Sequence, residues 1–304
     1  MIQGSRASRR ALLLLNPNAG NAKAGLDVGL QCLRSADMDV IVKRPEGPDG
    51  LRRAISEHRD QLDCIIVGGG DGSMNFALPF VMQAGLPMGI LPMGTANDLA
   101  RTLDIPLNVE SACQIIADGH LSDIDVGQVN DRHFFNVAHI GLAVEVARRA
   151  DKQAKGCLGP LAYPYMAWQA FRTRRTFKVR IDCEGELHSL RVVQVSVGNG
   201  RFYGGGVPIA EDATIDDGQL DLYALPARKG SSLLALIPAV GRGRTRGTRD
   251  IFTLRGREVI VITNRSKGVT VDGEEVERTP ARFRVLPGAL KVYTAAREAD
   301  GVDS

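Results

Sequence analysis

Val67-Gly68-Gly69-Gly70-Asp71-Gly72-Ser73-Met74-Asn75 follows a short apolar run, Cys64-Ile65-Ile66-Val67, and opens onto a stretch with helical spacing from Met74 to Ala84. Glycines between a strand and a helix let a phosphate approach bare backbone N–H groups. The aspartate inside the loop is the unusual part, because a carboxylate beside a phosphate repels it unless a metal or a positive group lies between them. The segment therefore points to a metal-assisted nucleotide site rather than a plain anion cradle. Neither common phosphate motif fits the spelling. GxxxxGK[ST] is absent, and no third glycine completes GxGxxG after Gly68-Gly69-Gly70 or after Gly70 and Gly72. A glycine turn that only joins strand to helix is the alternative at this point.

The surrounding chain alternates in the same way. Ala11–Leu15 is all apolar, as suits a buried parallel strand, and Asn16-Pro17-Asn18-Ala19-Gly20 is a turn cluster after it. A helix is predicted from there through Leu33, a strand over Asp39–Lys43, helical spacing over Leu51–His58, strands at Cys64–Val67 and Met88–Leu91, and a helix over Thr95–Leu103. This order gives a parallel sheet with helices on both faces over residues 1–130. After residue 130 short β-branched runs take over: Phe177–Cys183, Leu190–Val197, Leu220–Leu225, Glu258–Thr263 and Gly268–Val271. Two insertions read as helical, Gly141–Arg174 in parts and Ser231–Val240. The fold class is thus an α/β N-terminal domain with a parallel sheet, plus a mostly antiparallel β-sandwich C-terminal domain over 131–284. Residues 285–304 are expected to pack back onto the first domain.

Composition narrows the function. At 304 residues the chain has room for two domains of about 150 residues, and with 44% hydrophobic residues it can bury both cores. A net charge of +3 and 5% aromatics argue against nucleic acid as partner. The five cysteines lack CxxC spacing and read as reduced structural thiols of a cytoplasmic protein. No apolar run approaches the roughly 20 residues of a membrane span. Arg9-Arg10 before Ala11–Leu15 mimics a signal peptide only faintly, because Asn16-Pro17 ends the apolar stretch well short of the roughly 7–15 residues needed. It reads as a basic tail before the first strand.

Polar and acidic residues recur beside strand ends: Asn16 to Gly20, the Gly70–Ser73 loop, Pro92-Met93-Gly94-Thr95-Ala96-Asn97-Asp98, and Asp123-Ile124-Asp125-Val126-Gly127. In a parallel sheet the loops after strands open at one edge, where ligands bind. Thr95 is a plausible helix N-cap with Asp98 as its N3 partner. These strings, in this order and spacing, resemble the diacylglycerol kinase catalytic family, which includes sphingosine kinases and bacterial lipid kinases and shares a plan with NAD kinase. Gly204-Gly205-Gly206-Val207-Pro208-Ile209-Ala210, Asp216-Asp217-Gly218-Gln219-Leu220-Asp221 and Val271-Asp272-Gly273-Glu274-Glu275 extend the resemblance over roughly residues 10 to 294.

The resemblance implies an ATP- and Mg²⁺-dependent kinase acting on a lipid hydroxyl. By similarity, Asn16, Pro17, Asn18, Ala19 and Gly20, with Gly70, Asp71, Gly72, Ser73, Met74, Asn75 and Phe76, hold the nucleotide, and Thr95 and Arg44 lie beside it. Asp71, Asp98 and Asp125 resemble the carboxylates that organise Mg²⁺, partly through water. Glu274 resembles the general base, with Asp272 supporting it; read without the family, Asp272-Gly273 is an ordinary hairpin signal. Asp217, with backbone carbonyls near Thr214 and Gln219, resembles a second, structural Mg²⁺ site.

Departures from the family pattern are Ser73 where Thr is usual, Phe76 where an acidic residue often stands, Arg44 near a usual Thr, and extra residues at Gly156-Cys157-Leu158. A lipid acceptor implies peripheral contact with a membrane surface. The candidates are Arg148, Arg149, Lys152, Lys155, Arg172, Arg174, Arg175, Arg242, Arg244, Arg246 and Arg249, with Tyr165 and Trp168 at headgroup level. A homodimer is compatible with the sequence. The competing functions are an NAD kinase-like phosphotransferase and a catalytically silent nucleotide-binding membrane module.

Overall fold

The computed structural model describes residues 8–16, 22–144, 176–226, 242 and 251–296, with side chains for all of these except 22–25, 275 and 276. The chain divides into two compact units, residues 1–124 with 288–304 and residues 125–287.

In the first unit, β1 (Arg9–Leu15), α1 (Ala22–Ser35), β2 (Met38–Lys43), α2 (Gly47–Ser56), β3 (Cys64–Gly69), α3 (Asp71–Ala84), β4 (Met88–Pro92), α4 (Asp98–Thr102) and α5 (Val109–Asp118) alternate along the chain. The sheet runs β2-β1-β3-β4, all parallel. β1 lies in its interior, and Leu12 and Leu13 are fully buried. Each such leucine contributes roughly 1.5–3 kcal/mol, which explains the unbroken apolar spelling of this strand. The chain enters the second unit through β5 (Leu121–Val129) and returns through the last strand, β17 (Ala281–Tyr293). Val292 lies parallel to Met88 of β4. Thr294 donates its N–H to the His120 carbonyl, and Lys291 pairs with Asp123 at 2.8 Å, so the end of β17 and the start of β5 complete the first sheet.

Two local details depart from sequence expectation. α3 begins at Asp71 rather than Met74, with Gly70 as N-cap and the Ser73 and Met74 N–H groups donating to its carbonyl. The acidic loop is therefore mostly the first helical turn. α4 begins at Asp98, and Thr95 is not its cap. Asn97 stands at the N-cap in the left-handed region, φ 51°, and its side chain turns back to exchange two 2.9 Å hydrogen bonds with the backbone of Gly94. That closed turn keeps Thr95 and Ala96 outside the helix.

The second unit continues with β6 (Arg132–Phe134), β7 (Val137–Gly141), β8 (Phe177–Cys183), β9 (Glu186–Gly198), β10 (Phe202–Tyr203), β11 (Val207–Pro208), β12 (Leu220–Pro226), β13 (Phe252–Gly256), β14 (Glu258–Thr263), β15 (Gly268–Val271) and β16 (Glu274–Arg278). All its pairings given by register are antiparallel. β9 organises them: its first half pairs with β8, and its second half lies between β7 and β12. Alternation along β8 buries Phe177, Val179, Ile181 and Cys183, which join Val192, Val195, Val259, Val261 and Phe283 in one core. The predicted helical insertions lie outside the described residues beyond Val144.

Cys32, Cys64, Cys113 and Cys183 are all free thiols. Burial pushes Cys64 up to about 11 and Cys113 up to about 12, so both are inert at neutral pH. Among the described residues no helix is long and apolar enough to cross a membrane.

Candidate active site

The strand order 2-1-3-4 places β1 between β2 and β3, so consecutive connections leave the sheet in opposite directions at the β1/β3 boundary. The C-terminal ends of those two strands form the crevice where ligands bind in open α/β sheets. Several predicted residues of the first unit collect along this edge. Asn16 follows β1; its N–H donates to the Gly68 carbonyl at 3.1 Å and its Nδ2 to Ser73 Oγ at 2.9 Å. Arg44 is exposed just past β2, whose Lys43 pairs with Leu14. Gly70 follows β3, and at the start of α3 the Asp71 and Gly72 N–H groups precede the first helical hydrogen bonds, which Ser73 and Met74 make to Gly70.

The loop after β4 reaches the same place through a close contact of two backbones. A Cβ on Gly94 would stand 2.4 Å from Gly70 Cα, so only glycine fits there. Asp71, half-buried, accepts the Leu99 N–H at 3.1 Å. It thus does for α4 what Asn97 does not, and it ties itself to the start of the helix whose first residue is the buried Asp98. Thr95 is exposed at the loop tip, as is Phe76 on α3. The next residue inward, Asn75, has a buried Oδ1 with no partner among the described residues. Pro17, Asn18, Ala19 and Gly20 lie outside the described residues.

The second unit gathers the remaining carboxylates. Asp125 on β5 is buried; its Oδ2 accepts the Gly218 N–H at 2.6 Å and its own N–H donates to the Ile215 carbonyl at 2.7 Å. The Asp272 carboxylate receives the backbone N–H groups of Phe135, Asn136 and Val137 at 2.8–3.1 Å. Asp272 (φ 44°) and Gly273 (φ 97°) form the two-residue turn between β15 and β16, with both central residues left-handed as a type I′ turn requires. Glu274 leaves that turn exposed to solvent. Glu277 is instead tied to Asn130 and Arg132.

Asn199 was not found from sequence. Almost fully buried, it donates Nδ2 to the carbonyls of both Asp125 and Phe135, at 3.1 and 2.8 Å, and so joins the Asp125 strand to the backbone that Asp272 grips. Followed by Gly200, it reads in sequence as a plain turn. Asp217 accepts from the Gln219 N–H at 2.9 Å, from Thr214 Oγ1 at 3.1 Å and from the Arg255 guanidinium. Among the described residues no group of three or more His, Cys, Asp or Glu side chains could by itself hold a metal ion. Of the basic clusters only Arg242 is described; the others, with Tyr165 and Trp168, lie outside the described residues.

Two family models match the chain. Residues 10–129 match the diacylglycerol kinase catalytic domain, and residues 136–294 match the YegS C-terminal NAD kinase beta sandwich-like domain. A protein of Yersinia enterocolitica named "Probable lipid kinase YegS-like" is 33% identical, covering 92% of this chain and 95% of its own. A diacylglycerol kinase of Staphylococcus saprophyticus is 26% identical over 94% of this chain and 95% of its own. A crystal structure of a diacylglycerol kinase from Bacillus anthracis superposes with a TM-score of 0.75 at 25% identity, covering 94% of this chain and 97% of that one.

Proposed function

This chain belongs to the diacylglycerol kinase family of lipid kinases, with a YegS-type C-terminal domain, and from that premise we propose that it transfers the γ-phosphoryl of ATP to the hydroxyl of a lipid. The observation that carries the reading is the Asp71–Leu99 hydrogen bond. It ties Asp71, the first residue of α3, to the start of α4, whose first residue is Asp98, at the edge where α3 offers its N-terminal N–H groups. A phosphate-binding edge that also carries two acids calls for a cation, as nucleotide chemistry does.

Asn16, Gly70, Gly72, Ser73, Met74 and Asn75 are the residues we assign to the phosphates, with Pro17 to Gly20 in the preceding turn. Backbone N–H groups at a helix start accept an anion without a fixed positive side chain. Thr95, exposed above the Gly70/Gly94 contact, Phe76 and Arg44 are assigned to the rest of the nucleotide. Asp71, Asp98 and Asp125 supply only oxygen atoms, which suits Mg²⁺, a hard ion that keeps part of its water shell and needs few protein ligands. When bound, Mg²⁺ offsets phosphate charge and orients the transferred group.

On the acceptor side, a lipid hydroxyl is a poor nucleophile at neutral pH, and Glu274 is assigned to take its proton as the new P–O bond forms. Its exposure and its place next to a rigid two-residue turn suit that role. Asp272, held by backbone donors, positions the turn. We place the enzyme in the cytoplasm, working peripherally at a membrane surface, where a lipid acceptor is found.

The test is a labelled-ATP transfer assay with Mg²⁺ over a panel of micellar lipids, with NAD as soluble control. Label in one lipid supports the assignment and names the acceptor class. Label in NAD moves the chain to the NAD kinase-like reading, and ATP binding without transfer to any acceptor marks a silent module.

A further inference from the structure

Family resemblance assigns Asp217 to a second, structural divalent ion completed by backbone oxygens at Thr214 and Gln219. The residues around Asp217 do not fit one. Both carboxylate oxygens already have donors: Oδ1 takes the Gln219 N–H, and Oδ2 takes the Thr214 hydroxyl and an Arg255 Nη2 hydrogen. The same guanidinium extends to a second acid, with Arg255 Nε 3.7 Å from Asp221 Oδ1. Strand register enforces this. β12 and β13 are antiparallel, and Asp221 stands directly opposite Arg255, so backbone pairing sets the arginine within reach of the acids. The Asp221 side chain is only 10% exposed, which makes a fixed counter-charge necessary. A divalent ion on Asp217 would share its carboxylate with a permanent positive charge in direct contact, and the two cations would repel.

We infer that Arg255 takes the place of the second ion: its guanidinium ties the Asp216-Asp217-Gly218 turn to Asp221 on β12 and holds that turn without divalent metal. An arginine suits the task because its charge does not titrate in the working pH range and its planar fork can engage two acids at once. The consequence is a separation of functions, in which Mg²⁺ would serve transfer chemistry only and the fold of the second unit would not depend on it.

The experiment is thermal unfolding of the full chain, without nucleotide or acceptor, in excess Mg²⁺ and in EDTA. It is run on the parent, Asp217→Asn and Arg255→Met, with Mn²⁺ binding followed by electron paramagnetic resonance. The parent and Asp217→Asn are expected to show the same response to Mg²⁺, which means no ion depends on Asp217. Arg255→Met is expected to melt several degrees lower in EDTA, to recover in Mg²⁺, and to bind one additional Mn²⁺, because the vacated acids then form an ion site. A Mg²⁺-dependent rise in the parent midpoint that Asp217→Asn abolishes overturns the inference, as does an Arg255→Met protein that melts like the parent in both media. If Arg255→Met does not fold, the comparison of parent with Asp217→Asn decides alone. No phosphoryl transfer is measured, so failure here is distinct from failure of the kinase assignment.

Discussion

Asp272 and Val137 hold each other twice: the Val137 N–H donates to Asp272 Oδ1 at 2.8 Å, and the Asp272 N–H donates to the Val137 carbonyl at 2.8 Å. Phe135 and Asn136 donate to the same carboxylate, so three consecutive backbone N–H groups hold the charge. Asp272→Asn replaces one acceptor oxygen by an NH₂ group that faces N–H donors. The expected result is a loss of about 1–3 kcal/mol in urea unfolding, with turnover reduced because the Glu274 turn loses its anchor. Unchanged stability would mean that the three donors find other acceptors.

Glu274 is exposed and adjoins the turn without anchoring it. Glu274→Gln is therefore expected to leave the unfolding midpoint and ATP affinity within error while lowering kcat by at least about 10²-fold, the low end for loss of a general base. A fall in ATP affinity with kcat retained would remove Glu274 from the proton transfer.

Gly94→Ala tests the contact between loops. Its added Cβ meets Gly70 Cα, a backbone atom that cannot rotate away. One loop must move by the better part of an ångström, and the turn that presents Thr95 moves with it. We expect a raised KM for ATP and a lower melting temperature; wild-type values for both would show that the two backbones are not held together in solution.

His139 sets an acid limit on stability. It is buried on β7, its Nδ1 lies 2.9 Å from Ser196 Oγ, and the Tyr203 ring packs edge-on to it at 5.0 Å. Burial lowers its pKa to about 4 from 6.5. The unfolded chain therefore takes up a proton below pH 6.5 that the folded chain refuses until about pH 4. Stability is unaffected above pH 6.5, falls as the pH drops through that window by about 3 kcal/mol, and levels off below it. His133, also lowered by burial, adds a loss of the same sign. Urea unfolding from pH 7 to pH 4 is expected to be flatter in His139→Gln than in the parent, and equal slopes would exclude His139 as the source.

Strands were legible in the sequence where burial left a single spelling. β1, β3 and β8 announce themselves by apolar runs or strict alternation, and the order of elements in the first unit follows from the same signal. Helix starts were less legible, because caps at the site come from elsewhere in the chain. Thr95 has the residue type of an N-cap, but the Gly94–Asn97 turn closes after it, and Asp71, remote in sequence, accepts the Leu99 N–H. The site residues were recognisable as motifs, yet their support was not. Asn199 looks like half of an Asn-Gly turn, and Arg255 is one arginine among many until strand pairing sets it opposite Asp221. Such roles depend on register between distant strands, which no local spacing encodes.

The return of β17 to the first sheet has a consequence for synthesis. A ribosome delivers β1 to β4 well before residues 288–293, with the whole of the second unit made in between. Until then the β4 edge lacks the neighbour that places Val292 against Met88, and the nascent nucleotide-binding half waits with an open strand edge of the kind that invites pairing with other chains. Deleting residues 288–293 would therefore injure the sheet whose other strands were made first.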